Sequence, residues 1–281
     1  MKGIILAGGH GTRLFPITIP TSKQLLPIFD KPLIYYPLST LMEAGIRDIA
    51  IIIKRKDKKS FVSLLGDGSK LGIKIKYFFQ DEPKGLAEAF LITEKFIGTS
   101  DVTLILGDNL FYGESLPELF KKELSGGARI FCSKVQDPRR YGVLEYKNKK
   151  PISIVEKPKT YISPWAVTGI YTYDSSVINR AKLLSPSKRG ELEITDLNSK
   201  YLDDGLLDAK FFDQNVVWMD TGTFESMKEA SEFISAIQKR QGTLVGSPEL
   251  VAYKNRWITK SMIKQNLSYS NDYTDTLINI I

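Results

Sequence analysis

A glycine-rich turn, Gly8-Gly9-His10-Gly11-Thr12-Arg13-Leu14, follows the first apolar run of the chain. Glycines at such a place let backbone N–H groups approach a ligand and form a concavity for anions. The turn is not a Walker A loop, because no Lys-Ser/Thr follows its last glycine. Nor is it G-x-G-x-x-G, because counting from Gly9 puts Leu14 in the final glycine position. Glycines alone are equally compatible with a tight turn that binds nothing. Arg13 within the loop and Lys23 shortly after it supply two cations where a polyphosphate would lie. Two carboxylates also stand at the ends of apolar runs, Asp108 in Gly107-Asp108-Asn109 and Asp220 in Trp218-Met219-Asp220-Thr221-Gly222-Thr223. Either one alone reads as a turn cap, but the two together could share one hydrated Mg2+, which commonly takes one or two carboxylates plus phosphate oxygens. In Glu156-Lys157-Pro158 a sugar-hydroxyl acceptor sits beside a phosphate-binding cation, although an exposed turn would have the same sequence.

These groups need a scaffold that gathers strand ends. Apolar runs at residues 2–7, 48–53, 73–80 and 102–106 read as strands, and amphipathic stretches at 37–44, 58–65 and 86–96 read as helices between them. That alternation predicts an α/β, doubly wound, Rossmann-like fold with a mixed, mainly parallel sheet flanked by helices. Further strands are expected at 128–135, 142–146, 152–155, 165–173 and 216–219, with helices at 194–203 and 224–239. Residues 1–240 should form the domain carrying the chemistry, and 241–281 a small C-terminal helical appendage packed on it, starting near Pro248-Glu249.

With 42% hydrophobic and 25% charged residues, the composition is that of a globular protein. No apolar run approaches the roughly 20 residues of a membrane helix. Ile4-Ile5-Leu6-Ala7 is too short for a signal peptide, so the expected location is the cytoplasm. The single Cys132 excludes an intramolecular disulfide, and no Cys/His cluster suits zinc. The net charge of +7 suits anionic partners. Its cations are scattered without a nucleic-acid-binding pattern, and the dense run Lys54-Arg55-Lys56-Asp57-Lys58-Lys59 reads as a solvated loop or helix start.

Several motifs occur in order: the glycine turn, Ser22-Lys23-Gln24-Leu25-Leu26-Pro27, Lys31-Pro32-Leu33-Ile34-Tyr35-Tyr36-Pro37, Leu65-Gly66-Asp67-Gly68-Ser69, Gly107-Asp108-Asn109, Tyr141-Gly142-Val143 and Glu156-Lys157-Pro158. Arg189-Gly190-Glu191-Leu192-Glu193-Ile194-Thr195-Asp196, the segment around Asp220, Ser247-Pro248-Glu249 and Ala252-Tyr253 complete the series. Over nearly its whole length the chain resembles the glucose-1-phosphate thymidylyltransferase family of sugar nucleotidyltransferases, which opens dTDP-L-rhamnose synthesis. The resemblance implies dTTP and glucose-1-phosphate as substrates, Mg2+ as cofactor and a homotetramer. It implies that Gly8, Gly9, Gly11 and Thr12 embrace the nucleotide, Arg13 reaches the distal phosphates and Lys23 contacts phosphate near the reacting centre. Gln80 and Gly85 would read the thymine, and Leu6 and Gln24 would also touch substrate. Tyr141, Gly142, Glu156, Val167 and Trp218 would line the sugar side, Lys157 would grip the sugar phosphate, and Asp108 and Asp220 would hold Mg2+. The chain departs from the family at His10, where Ser or Ala is usual, at Asp81-Glu82-Pro83-Lys84 between the base-reading residues, and at Asp213-Gln214-Asn215.

The expected reaction is in-line attack of the sugar phosphate on the α-phosphorus of dTTP. A phosphate monoester has a second pKa near 6, so this nucleophile is already ionised and needs no general base. His10, the only histidine, is expected to face solvent or pack in its loop. The same chemistry with UTP or another sugar phosphate and a non-catalytic nucleotide-sugar sensor are the alternatives; the glycine spacing disfavours a nicotinamide enzyme.

Overall fold

The computed structural model describes all residues except Lys122, Glu123 and Ser268. Among the described residues thirteen strands succeed one another: β1 (Lys2–Leu6), β2 (Pro27–Ile28), β3 (Lys31–Pro32), β4 (Asp48–Ile53), β5 (Lys74–Phe79), β6 (Val102–Leu106), β7 (Asn109–Tyr112), β8 (Ala128–Lys134), β9 (Gly142–Lys147), β10 (Lys150–Glu156), β11 (Trp165–Tyr173), β12 (Leu207–Phe211) and β13 (Val217–Asp220). Nine of them form one mixed sheet. Its parallel heart runs β5-β4-β1-β6, with Ile4 beside Ala50 on one flank and Leu104 on the other. β11 then joins antiparallel to β6 and β8, β9 and β10 form a hairpin, and β12 adds parallel to β8.

Side-chain alternation along these strands builds two cores. Ile5, Ile49, Ile51, Ile53, Ile105 and Phe131 point into one, while Ile4, Leu6, Ala50, Ile52, Leu104 and Ile130 point into the other. A strand buried on both faces must be apolar at every position, and the near-continuous Ile/Leu/Val runs meet that demand. The first core is covered by α1 (Tyr35–Glu43), α2 (Lys58–Leu65) and Phe120 of a short helix at Leu116–Lys121. Residues of three C-terminal helices, Pro248–Lys254, Lys260–Asn266 and Asp272–Ile280, enter that same core through Leu250, Val251, Ile263, Tyr273 and Leu277. The opposite core is covered by helices at Glu88–Ile92, Glu94–Ile97, Val177–Lys182 and Ile194–Asp203. No helix among the described residues is long and apolar enough to cross a membrane.

The spacing at 86–96 suggests one helix, but the structure has two, broken at Thr93. Thr93 is fully buried and its hydroxyl donates to the Ala89 carbonyl at 2.6 Å, a side-chain bond that competes with the helical ladder. The helix expected at 37–44 starts two residues earlier, because Pro37 sits in the first turn, where no N–H is needed. Strands β7 and β12 and the helices at Leu116–Lys121 and Val177–Lys182 were not apparent from periodicity, being too short to establish a period.

The arrangement puts the carboxyl ends of β1, β4, β5 and β6 on one edge of the sheet. The glycine turn, Lys54, Gln80 and Asp108 issue from that edge in turn. Beneath it, Phe131 is fully buried, with ring centroids 5.0 Å from Phe120 and 6.0 Å from Phe212. Phe131→Ala should cost about 3–5 kcal/mol, as large-to-small changes in a packed core do, read as a lowered urea midpoint with an unchanged m-value.

Candidate active site

Asp108 lies just beyond β6. Its Oδ2 accepts from Lys23 Nζ at 2.5 Å and its Oδ1 from Asn109 Nδ2 at 3.0 Å. Antiparallel pairing of β13 with β7 sets Asp220 opposite Asn109. The Thr221 N–H and hydroxyl both donate to the Asp108 carbonyl, at 3.0 and 2.8 Å, pinning the two acidic segments together. A Cβ added to Gly222 would lie 3.1 Å from both the Arg13 guanidinium and Asp220 Oδ1, so these two groups converge on one spot. Burial tends to raise the Asp108 carboxyl, but the charge and hydrogen bond of Lys23 outweigh it and hold the group below the usual carboxylate range. Asp220 moves the other way: burial and then the charge of Asp108 raise it, despite Lys23, Arg13 and Arg140.

Two clefts meet at Asp108. The larger, about 380 Å3, is lined by Arg13, Asp108, Tyr141, Gly142, Glu156, Lys157, Val167, Trp218 and Asp220. The other, about 190 Å3, is lined by Leu6, Gly9, Gln24, Gln80, Gly85 and Asp108. Leu86, Leu106 and Glu191 also border both. Gln80 donates to Glu88 Oε2 at 2.7 Å and to the Gly85 carbonyl at 3.4 Å, which leaves its own oxygen against Gly8. Gly85 has φ +99°, and a Cβ there would meet the Leu192 carbonyl at 2.3 Å, so only glycine fits. Of the remaining sequence candidates, Lys23 lies behind Asp108 with its side chain 8% exposed. Gly8 is buried against Gln80, whereas Gly11 and Thr12 lie on the outer turn, where Thr18 donates to the Gly11 carbonyl at 2.7 Å. None of these four lines either cleft wall.

On the larger cleft's far wall, Glu156 accepts from the Thr195 hydroxyl at 2.7 Å and pairs with Lys157 at 3.2 Å. Lys157 has φ 43°, a left-handed conformation unusual for a residue with a side chain and common at functional turns. The Tyr141 ring packs on Trp218 with centroids 4.9 Å apart.

Sequence reasoning missed the part played by Asn109. Its Oδ1 accepts from Trp218 Nε1 at 2.6 Å and from the Gly169 N–H at 3.1 Å, while its amide nitrogen holds Asp108. A Cβ on Gly169 would sit 2.4 Å from that oxygen, so the glycine is what admits the contact. Arg140, Arg189 and Glu193 also line the cleft, with Arg189 forked onto Glu193 at 2.9 Å. Each belongs to or adjoins a motif visible in the sequence, but nothing in residue spacing gave it a partner.

With this geometry in place, comparison with known proteins is informative. Residues 2–237 match the family model described as nucleotidyl transferase. The chain is 48% identical to a glucose-1-phosphate thymidylyltransferase of Neisseria meningitidis, over 100% of this chain and 99% of the relative. It is 51% identical to one of Mycolicibacterium smegmatis, over 92% of this chain and 90% of the relative. A crystal structure of a putative glucose-1-phosphate thymidylyltransferase from Bacillus anthracis, in complex with a sucrose, superposes with a TM-score of 0.78 at 43% identity, covering 83% of this chain and 94% of that one. UDP-glucose pyrophosphorylase complexed with UDP-glucose superposes at 0.73 and 28% identity, covering 85% and 98%. The fold is that of a nucleotidyltransferase, and the chain is an enzyme of that family. Within it, the chain belongs to the glucose-1-phosphate thymidylyltransferases.

The opposed behaviour of the two carboxylates has a measurable consequence. Asp220 binds its proton more tightly in the fold than in the unfolded chain, so it favours folding only at low pH and opposes it once ionised. In metal-free buffer at pH 7, Asp220→Asn should therefore melt higher than the parent protein. The difference should vanish by about pH 4, where the unfolded carboxyl also takes its proton. Thermal scans across that range check both points.

Proposed function

We propose that the chain transfers a thymidylyl group from dTTP to glucose-1-phosphate, giving dTDP-glucose and pyrophosphate. The observation that carries this reading is that Asp108 stands where the two clefts meet, with Lys23 on one of its oxygens and Asp220 beside it. In this reading the smaller cleft takes the nucleotide. Gln80 and Gly85 face the base, Leu6 and Gln24 support it, and the turn from Gly8 to Thr12 offers main-chain N–H groups to the phosphates. The larger cleft takes the sugar, with Glu156 accepting from its hydroxyls, Tyr141, Gly142, Val167 and Trp218 forming the wall, and Lys157 meeting its phosphate. The reacting atoms then lie between Arg13, Lys23 and Asp108.

A divalent ion suits the donors present. Two carboxylate groups supply only oxygen ligands, as Mg2+ prefers, and Asp220 is raised first by burial and then by the charge of Asp108 beside it, which a cation there would offset. Among the described residues no group of three or more His, Cys, Asp or Glu side chains is set for a metal. The proposed site is thus one whose coordination is completed by substrate oxygens and water. Asp108 and Asp220 would hold the ion, and when bound it would neutralise charge developing on the phosphates.

The residues of the chain do the remaining work by positioning. Lys157 and Glu156 hold the sugar phosphate by its two ends and keep its ionised oxygen directed at the nucleotide. Arg13 and Lys23 offset the charge of the phosphates as the bond to pyrophosphate breaks, and no proton has to move. The remaining parts of the proposal are a cytoplasmic location, use of the product in dTDP-rhamnose synthesis and assembly as a homotetramer.

A panel of nucleoside triphosphates against sugar-1-phosphates, followed by pyrophosphate release, tests the substrate assignment: dTTP with glucose-1-phosphate should give the highest kcat/KM. Asp108→Ala and Arg13→Ala should each lower kcat by about 10²–10³ or more, the scale for losing one charge-stabilising group, with melting behaviour preserved. EDTA should stop turnover and Mg2+ restore it. Near-parental turnover by both variants would remove the assignment of the centre.

A further inference from the structure

Lys54 directly follows β4, whose Ile52 carbonyl accepts from the Ala7 N–H at 2.7 Å and whose Ile53 carbonyl accepts from the Gln80 N–H at 3.0 Å. It therefore emerges between the glycine turn and the base-facing Gln80. In the sequence it opens the cationic run 54–59, and the structure gives that run's members different fates. Arg55 pairs with Asp81 at 3.3 Å and lies 4.5 Å over the Phe79 ring, and Lys58 also lies over Phe79. Lys54 instead turns its ammonium onto His10 Nδ1, inside the glycine turn. Among the described residues it forms no ion pair with a carboxylate.

An ammonium can only donate, so in this contact His10 Nδ1 is the acceptor. Its Nε2 points toward Glu82 at 3.9 Å, and Glu82, 76% exposed, is the only carboxylate facing the ring among the described residues. Partly buried, Lys54 has its pKa lowered, first by desolvation and then by Lys56, against Asp57, Glu82 and Asp81. Lys54 is thus a partly desolvated cation held by an imidazole nitrogen on the glycine turn, with carboxylates near it but none paired to it among the described residues.

We propose that Lys54 is a second phosphate arm, which takes the terminal phosphate of the bound nucleoside triphosphate, and that His10 parks its ammonium at the turn until that phosphate arrives. The inference rests on the reading that the glycine turn holds the triphosphate. In the reverse direction the same arm would hold pyrophosphate. Arg13 and Lys23 serve the phosphates on the Asp108 side, whereas Lys54 approaches from the β4 side.

Steady-state kinetics in both directions test the idea. For Lys54→Ala, KM for dTTP and for pyrophosphate should each rise about fivefold or more, the scale for one partly exposed charge contact. KM for glucose-1-phosphate and dTDP-glucose should stay within twofold. Lys54→Arg should restore most of the loss. By calorimetry, Lys54→Ala should lose affinity for dTTP but not for dTDP, which lacks the terminal phosphate. His10→Ala removes a contact that arrival of the phosphate has to break, so it should lower the Kd for dTTP rather than raise it. Unchanged dTTP and pyrophosphate constants in Lys54→Ala, or an equal rise for all four substrates, would overturn the proposal. A parent protein that releases no pyrophosphate from dTTP and glucose-1-phosphate would instead overturn the underlying reaction.

Discussion

Two partly buried carboxylates from distant parts of the chain stand together, and a lysine holds only one of them. That imbalance is the constraint the rest of the site answers to. Lys23 settles Asp108 as an anion, Asp108 then makes ionisation of Asp220 costly, and Arg13 approaches without fully relieving the pair. Such a cluster persists only where the backbone over-determines it, and here it does. Asp220 is fixed by strand pairing, and Thr221 grips the Asp108 main chain twice.

The parallel heart of the sheet explains how so many separate segments reach that centre. Four neighbouring strands end on the same edge, and each hands over one group: the glycine turn from β1, Lys54 from β4, Gln80 from β5 and Asp108 from β6. The cores on the two faces, filled by alternate residues of the same strands, keep those ends in register. Loops carry the chemistry while the sheet sets their spacing.

Most of this scaffold was legible in the sequence, because a doubly buried strand has to be apolar throughout and the Ile-rich runs could hardly be anything else. The strand Val102–Leu106 was readable to the residue for that reason, and the helix Ile194–Asp203 from its amphipathic spacing. Short elements such as β7 and β12 carried no period to read. Asp108, Asp220, Arg13 and Lys157 could be picked out as candidates because they follow apolar runs or lie in the glycine turn, although Asp108, Asp220 and Lys157 each read equally as part of an ordinary turn. Asn109 could not be picked out, since its importance lies in three partners, Trp218, Gly169 and Asp108, of which two are far away in the chain. Lys54 was visible only as one of a run of cations, and its distinction from Arg55 and Lys58 is purely spatial. Partnership, more than residue type, is what the linear chain conceals.

The clamp around Asn109 limits how this cleft can diversify. Its oxygen faces two N–H donors, one from main chain and one from an indole, so a flipped amide would set donor against donor. The strand position at Gly169 tolerates no side chain, and Asn109 itself has one permitted orientation. A substitution at Gly169 or Asn109 therefore has to disturb the contacts that hold Asp108, whereas Val167 and the Glu156–Lys157 turn line the same cleft apart from that clamp.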